Sequence, residues 1–220
     1  MSSRFTKRTG GVSHGAFASL NLGTHVGDVL EDVLRNREIL SASVGPTQYM
    51  NQVHGDRIAL IEEVTDEVPT ADALVTGIPG IALAVMVADC IPLLLTSKQS
   101  VAAVHVGRRG LVNEITRKTL SVMRDMGASQ ITAIIGPAIC GSCYEVSEDV
   151  YQEVVQAHPF AQSITTKGTL ALDLPAALRS VLSDEGVAIV NKFTCTVESS
   201  DYFSYRRDGV TGRQAGVISL

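Results

Sequence analysis

Residues 81–110, IALAVMVADCIPLLLTSKQSVAAVHVGRRG, decide how this chain is read. Three apolar runs, IALAVMVAD, IPLLLTS and VAAVHVG, follow one another with short polar breaks. Short runs rich in Val, Ile and Leu and bounded by turn residues predict strands. Upstream, YMNQVHG, RIALIEEV and DALVTG extend the pattern, so six strands in succession imply extensive sheet. Downstream, GRRG turns the chain into LVNEITRKTLSVMRDMG, whose apolar spacing predicts one amphipathic helix closed by Gly127.

Three side chains at the edges of these runs carry chemistry: His54 in QVHG, Cys90 in VADCIP and His105 in VAAVHVG. Two imidazoles and a thiolate suit zinc, and three protein ligands leave a fourth tetrahedral position open for water or substrate. A Cys or His in an apolar run also serves as packed core, and the spacings match no local zinc-finger pattern. Asp89 before Cys90 and the two arginines after His105 favour the site, because charged groups are rarely buried without partners.

Outside this stretch the chain alternates helix and strand. The first thirty residues are rich in Gly, Ser, Asn and His, and SLNLGTHVGD among them reads as an irregular, functional loop. Asp28 then precedes a helix ending at Gly45-Pro46. ITAIIGP predicts a strand, and Ser147 to His158 a helix capped by Ser147. LALDL, PAALRSVLSDEG and VAIVNKFTC predict strand, helix and strand, and DYFSYRRDGVTGRQ is a turn-rich tail before a final strand, AGVISL. The sum is an α+β protein: a mixed β-sheet or sandwich core flanked by helices, in a single domain over residues 1–220.

Composition narrows the function. A net charge of −5 argues against a nucleic-acid binder. The N-terminus lacks an apolar signal region and no apolar stretch reaches the ~20 residues of a membrane span, which predicts a cytoplasmic protein without a membrane partner. Four cysteines in such a chain read as thiols or ligands, not as a disulfide framework. No GxGxxG follows a strand and no Walker pattern occurs, so nucleotide cofactors are not expected.

NLGTHVGD, QVHG, ADALVT, ADCIPLLL, HVGRRG, IGPAICGSCYEV and FSYRRDGVTGRQAGVISL together resemble the laccase-domain family, once called multicopper polyphenol oxidases, nearly end to end. The resemblance implies a fold like the catalytic domain of the cytotoxic necrotizing factors. It also implies a zinc-dependent purine nucleoside phosphorylase with accessory adenosine deaminase activity, acting on adenosine, inosine, guanosine and methylthioadenosine as a monomer or homodimer. The metal ligands fall on His54, Cys90 and His105. The family's usual HAGWRG is HVGRRG here, with Arg108 in place of Trp, and the chain has no Trp at all.

Phosphorolysis needs an anion site, a polarised leaving base and a stabilised sugar cation. The GRRG turn offers backbone N–H groups as an anion cradle, with Arg108 or Arg109 adding a charge-assisted bond. The resemblance favours Arg109, which joins Cys90 and His105 as a candidate catalytic residue. Candidate substrate-binding residues are Asn21 and His25 in the loop, Arg37 on the helix after it, Gln52 in QVHG and Arg206 in the tail. Structural satisfaction of the loop accounts for Asn21 and His25 nearly as well. Asp89 is a candidate proton carrier that equally well points away. Cys140 and Cys143 in CGSC invite a redox or zinc-knuckle reading, but with no second CxxC they read as a turn with partly buried thiols, and Cys195 reads as core.

Three other functions compete. A phenol oxidase could hold one copper on the trio, but a multicopper centre needs more than the five histidines present. A cysteine hydrolase would use Cys90 as nucleophile and His105 as base. A role in editing cell-wall precursors is a further label carried in the family.

Overall fold

The runs of residues 81–106 become neighbouring strands that divide between two stacked sheets. The protein, described by a computed structural model over residues 1–220, has twelve strands and six helices. In chain order, β1 (Ser2–Phe5) and α1 (Leu30–Val44) lead to β2 (Thr47–Gln48), β3 (Ile58–Leu60), β4 (Ala73–Thr76), β5 (Ala82–Val87), β6 (Ile91–Thr96) and β7 (Val101–Val106). There follow α2 (Arg108–Val112), α3 (Ile115–Asp125), β8 (Thr132–Ile135), α4 (Glu148–Ala157), β9 (Gln162–Ile164) and β10 (Leu170–Leu172). The chain ends with α5 (Leu174–Asp184), β11 (Ala188–Asn191), α6 (Tyr205–Asp208) and β12 (Gln214–Ser219).

One sheet has the order β11-β8-β6-β7-β4-β3 and the other β1-β12-β5-β2, with β9 and β10 forming a separate pair. Side-chain alternation sorts the cores. In β5, Leu83, Val85 and Val87 face the larger sheet, where they meet Leu74, Leu94, Val101 and Ala103. Ala82, Ala84 and Met86 face the opposite way, onto Leu40 of α1 and Leu20 and Leu22 of the N-terminal segment. On the far side of the larger sheet, Ile91, Leu93, Leu95, Ala102, Val104 and Val106 pack on Leu111, Ile115, Leu120, Val154 and Leu178 from α2 to α5. The layers therefore run helix, sheet, sheet, helix. By the same alternation His105 shares the inter-sheet face of Val101 and Ala103, at the end of β7.

The expected α+β core wrapped by helices is present, and three local expectations are corrected. YMNQVHG is not a strand: beyond β2 it makes one bridge, Asn51 to Thr70, because the N–H groups of Val53, His54 and Gly55 turn onto the Asp72 carboxylate. The helix expected over residues 111–127 breaks at Glu114, whose φ of 60° is left-handed, giving α2 and α3. Ahead of SLNLGTHVGD, which is irregular as expected, the chain opens with β1, which pairs antiparallel with β12. Ser147 stands at the α4 cap position without a capping side-chain bond, whereas the Asp173 carboxylate caps α5 by accepting from Ala176 N at 2.8 Å.

Asn36 fixes the N-terminal loop to α1. Wholly buried, it donates to Ser13 Oγ, Ser19 O and Asn21 O and accepts from Val12 N at 2.8 Å. Asn36→Ala strands several buried polar groups and is expected to lower stability by about 3 kcal/mol, or roughly 6–12 °C in Tm, in a calorimetric melt.

Candidate metal centre and pocket

A buried carboxylate organises the site. Asp72, immediately before β4, is wholly buried. Its Oδ1 accepts from His105 Nδ1 at 2.8 Å and from His54 N at 3.0 Å, and its Oδ2 accepts from Gly55 N at 2.7 Å and Val53 N at 3.2 Å. One carboxylate thus orients the His105 ring, leaving Nε2 for another partner, and shapes the loop that carries His54. Burial alone would raise the Asp72 carboxyl, but the His105 and backbone hydrogen bonds outweigh it and hold it below the usual carboxylate range.

The His54, Cys90 and His105 ligand atoms all lie within 4.8 Å of one another. Cys90 Sγ is 3.9 Å from His54 Nε2, and the two imidazole rings meet edge to face with centroids 4.7 Å apart. His54 and Asp89 both hold left-handed backbone, at φ of 59° and 93°. Non-glycine residues hold that conformation only where their surroundings over-determine it. At His54 Asp72 does so; at Asp89 the carboxylate accepts from Thr196 Oγ1 and Arg206 N at 2.6 Å each. Gly107, the cap residue of α2, fits against the trio because a Cβ there would lie 3.0 Å from Cys90 Sγ and 3.2 Å from His54 Cδ2.

The electrostatics suit a cation. Burial pushes the Cys90 thiol up, but the positive charge and hydrogen bond of His105, followed by His54, bring it down to about 6. Burial opposes charge on His105, yet Cys90 and Asp72 raise it to about 9. A thiolate and a carboxylate around one imidazole draw in a proton when no metal is held, and metal binding would expel it. The donor set, its spacing and the fixed His105 tautomer all fit a soft or borderline metal with one open position.

The trio lines a cavity of about 410 Å³, within the ~300–1,000 Å³ range of small-molecule sites. Met86, Val87, Ala88, Ile139 and Leu174 supply apolar wall; Tyr144, Tyr205, His25 and Gln52 supply polar edges; and Arg108, Arg206 and Arg213 supply positive charge. Arg108, where the resemblance expects Trp, pairs with Glu153 at 2.6 Å. The other two guanidinium groups bond backbone carbonyls: Arg206 that of Glu145 at 2.8 Å, and Arg213 those of Thr211 and Gly212 at 3.0 Å. Arg206 also lies over the Tyr144 ring, 5.1 Å from its centroid. Burial, then the Arg213 and Arg37 cations, lower the His25 pKa below its ordinary value, so its ring is mainly neutral at pH 7. Tyr144 is raised by burial and the Cys90 charge and keeps its proton.

Of the sequence candidates, His25, Gln52, His54, Asp89, Cys90, His105, Arg108 and Arg206 line the cavity. Gln52 spends its amide on Met86, donating to its carbonyl at 2.7 Å and accepting from its N–H at 2.8 Å. Asn21, Arg37 and Arg109 stand off the wall. Asn21 is buried and consumed by Gly23, Asp28 and the Arg213 N–H. Arg37 donates to Leu22 O and sits 3.9 Å from the Tyr49 ring centroid. Arg109 is exposed on α2, one helical position beyond Arg108. Asp89, the candidate proton carrier, commits its carboxylate to pinning the tail. Asp72, Tyr144, Tyr205 and Arg213 lay outside the expected set; of these only Asp72 had a signal, an acidic residue opening an otherwise apolar strand.

The profile of the family described as multi-copper polyphenol oxidoreductase laccase matches residues 2–220. A purine nucleoside phosphorylase of Corynebacterium glutamicum is 44% identical over 228 residues, spanning 98% of this chain and 93% of that protein. One from Streptomyces coelicolor is 44% identical over 227 residues, spanning 98% and 94%. The crystal structure of a Neisseria meningitidis protein of the DUF152 family superposes with a TM-score of 0.91 at 42% identity, over 99% of this chain and 93% of that one. YlmD from Geobacillus stearothermophilus gives 0.89 at 33% identity, over 99% and 90%.

Asp72→Asn keeps the shape but loses an acceptor and frees the His105 tautomer. It is expected to weaken metal binding roughly 10–100-fold in chelator competition; unchanged affinity would remove Asp72 from the site's architecture.

Proposed function

The chain belongs to the multi-copper polyphenol oxidoreductase laccase family, and from that premise we propose that it is a zinc-dependent purine nucleoside phosphorylase. The observation that carries the reading is the joining, in one cavity, of a His2Cys ligand set and two arginines whose guanidinium groups bond backbone carbonyls. The relatives named purine nucleoside phosphorylase support it.

His54, Cys90 and His105 would hold the metal, which when bound supplies Lewis acidity toward a substrate oxygen or nitrogen. Arg206 and Arg213 are suited to hold phosphate as the attacking group, a role that falls to them and not to Arg109, which does not line the cavity. A phosphate oxygen forms its bond to the anomeric carbon of the sugar while the bond from that carbon to the base breaks and the base leaves with the electron pair. Protonated Tyr144 can donate a hydrogen bond to the departing base, and neutral His25 can bond a sugar hydroxyl. The run Met86–Ala88 with Ile139 and Leu174 offers the apolar surface that a purine ring needs. Adenosine, inosine and guanosine are the proposed substrates, with methylthioadenosine phosphorolysis and adenosine deamination as further activities of the same pocket. The resident ligand groups contain no more than two histidines each, which favours a mononuclear centre over multicopper oxidation.

Metal-quantified protein given inosine or adenosine with phosphate is expected to release free base and ribose 1-phosphate. The release should require phosphate and fall by at least about 100-fold in Cys90→Ser, while Arg213→Met should raise the phosphate KM by roughly tenfold or more. Zinc-loaded protein that turns over no nucleoside would defeat the reading, and inosine from adenosine without phosphate would assign deamination instead.

One observation favours a second reading: Cys90, His105 and Asp72 also form a thiol, imidazole and carboxylate series of the kind used by cysteine hydrolases. Metal occupancy separates the two. In metal-free protein, alkylation of Cys90 should rise with an apparent pKa of about 6, below the ordinary thiol value, because the thiolate forms beside His105. Zinc should suppress this labelling, and rapid Cys90 labelling in the zinc-loaded protein would favour the hydrolase.

A further inference from the structure

A second set of soft ligands converges away from the pocket trio. Cys140, Cys143, Cys195 and Glu198 each offer one ligand atom, and the four atoms all lie within 4.8 Å of one another. Glu198 Oε1 stands 3.9 Å from Cys140 Sγ and 3.7 Å from Cys143 Sγ. Tetrahedral zinc, with Zn–S near 2.3 Å and Zn–O near 2.0 Å, places sulfur and oxygen ligands about 3.5 Å apart and two sulfurs about 3.8 Å apart. The two sulfur–oxygen separations lie within about 0.4 Å of that spacing, and no pair of ligand atoms is more than 4.8 Å apart.

The backbone builds this arrangement from two separate segments. The CGSC turn closes with the N–H groups of Cys143 and Tyr144 both donating to Cys140 O at 3.1 Å. Gly141 is required there, since a Cβ would lie 2.7 Å from Ser163 Oγ and 2.8 Å from Asp173 Cβ. The second segment is clamped to the first by Ala138, whose N–H donates to Thr194 O at 3.1 Å and whose carbonyl accepts from Thr196 N at 3.0 Å. Cys195 is thereby fixed opposite the turn, and a further turn, Ser199 N to Cys195 O at 3.0 Å, brings Glu198 round. Cys195 is buried, Cys140 and Cys143 are half-buried, and Glu198 is exposed, so the carboxylate closes the solvent side.

We propose that Cys140, Cys143, Cys195 and Glu198 form a second metal site, a closed Cys3Glu zinc centre that staples these two segments. Three thiolates select a soft or borderline metal over magnesium or calcium, and four protein ligands leave no open position, which marks the site as structural. Its position links it to the cavity. Tyr144, adjacent to Cys143, lines the pocket, and Thr196, adjacent to Cys195, holds the Asp89 carboxylate. Loading this site would therefore steady one wall of the cavity without touching substrate.

The test is metal stoichiometry of the full chain, purified under reducing conditions and loaded with zinc alone, read by elemental analysis. Wild type should hold two zinc ions per chain, Cys90→Ser one, and Cys90→Ser with Cys195→Ser none. In zinc-loaded Cys90→Ser the remaining three thiols should resist alkylation until a strong chelator is added. Should cysteine variants fail to fold, Glu198→Ala in the otherwise wild-type chain alters only an exposed side chain and should weaken binding of one of the two zinc ions by roughly tenfold or more. Cys90→Ser that retains no zinc, or a peptide map linking two of these cysteines as a disulfide in the purified protein, would overturn the proposal. The readout does not depend on nucleoside turnover, so its failure is distinct from failure of the phosphorylase reading.

Discussion

The site depends on the Asp72 carboxylate. Four hydrogen bonds converge on its two oxygens, three from backbone N–H groups of residues 53–55 and one from His105 Nδ1. Removing the carboxylate from water is unfavourable unless its lone pairs are filled, and here the partners are the elements that must be aligned. Asp72 immediately precedes β4, whose antiparallel pairing with β7 sets it beside the end of that strand, where His105 N also donates to Asp72 O at 2.8 Å. The register of two strands therefore fixes one imidazole directly and the other through a loop.

From this anchor the remaining geometry follows by alternation and close approach. β6 begins just after Cys90, and its pairing with β7 places the thiol beside His105. Gly107 lets the start of α2 press against both Cys90 and His54. Asp89 performs the complementary task on the other side, holding Thr196 and the first turn of α6 so that Tyr205 and Arg206 close the cavity. The paired strands thus set Cys90 and His105, and the end of β5, the first turns of α5 and α6 and the loops beside them complete the wall.

The sequence made the layers and the cluster of His54, Cys90 and His105 legible for the same reason: both are written in local runs. Buried strands read as apolar runs, and His54, Cys90 and His105 are conspicuous at the edges of such runs. What was not legible arises from distant chain segments meeting. Asp72 opens the run DALVTG as its one acidic residue, but its four partners come from residues 53–55 and 105, which only the fold brings to it. Asn21 and Arg37 carried the right chemistry for a ligand, but their donors and acceptors are consumed inside the protein. Arg213 went unnoticed among the tail's arginines, since only the fold tells which of them faces the thiolate. Cys195 read as core and is buried, yet only the bridge between Ala138 and Cys195 reveals that it meets the CGSC turn.

The central claim is that the trio is a metal centre opening onto a nucleoside and phosphate pocket. The most direct measurement is anomalous diffraction at the zinc edge from crystals of the zinc-loaded protein soaked with phosphate and a purine nucleoside. The account predicts a zinc peak within bonding distance of His54 Nε2, Cys90 Sγ and His105 Nε2, with phosphate on Arg206 and Arg213 and the purine against Met86–Ala88. An absent peak at the trio, or a nucleoside bound outside this cavity, would contradict it.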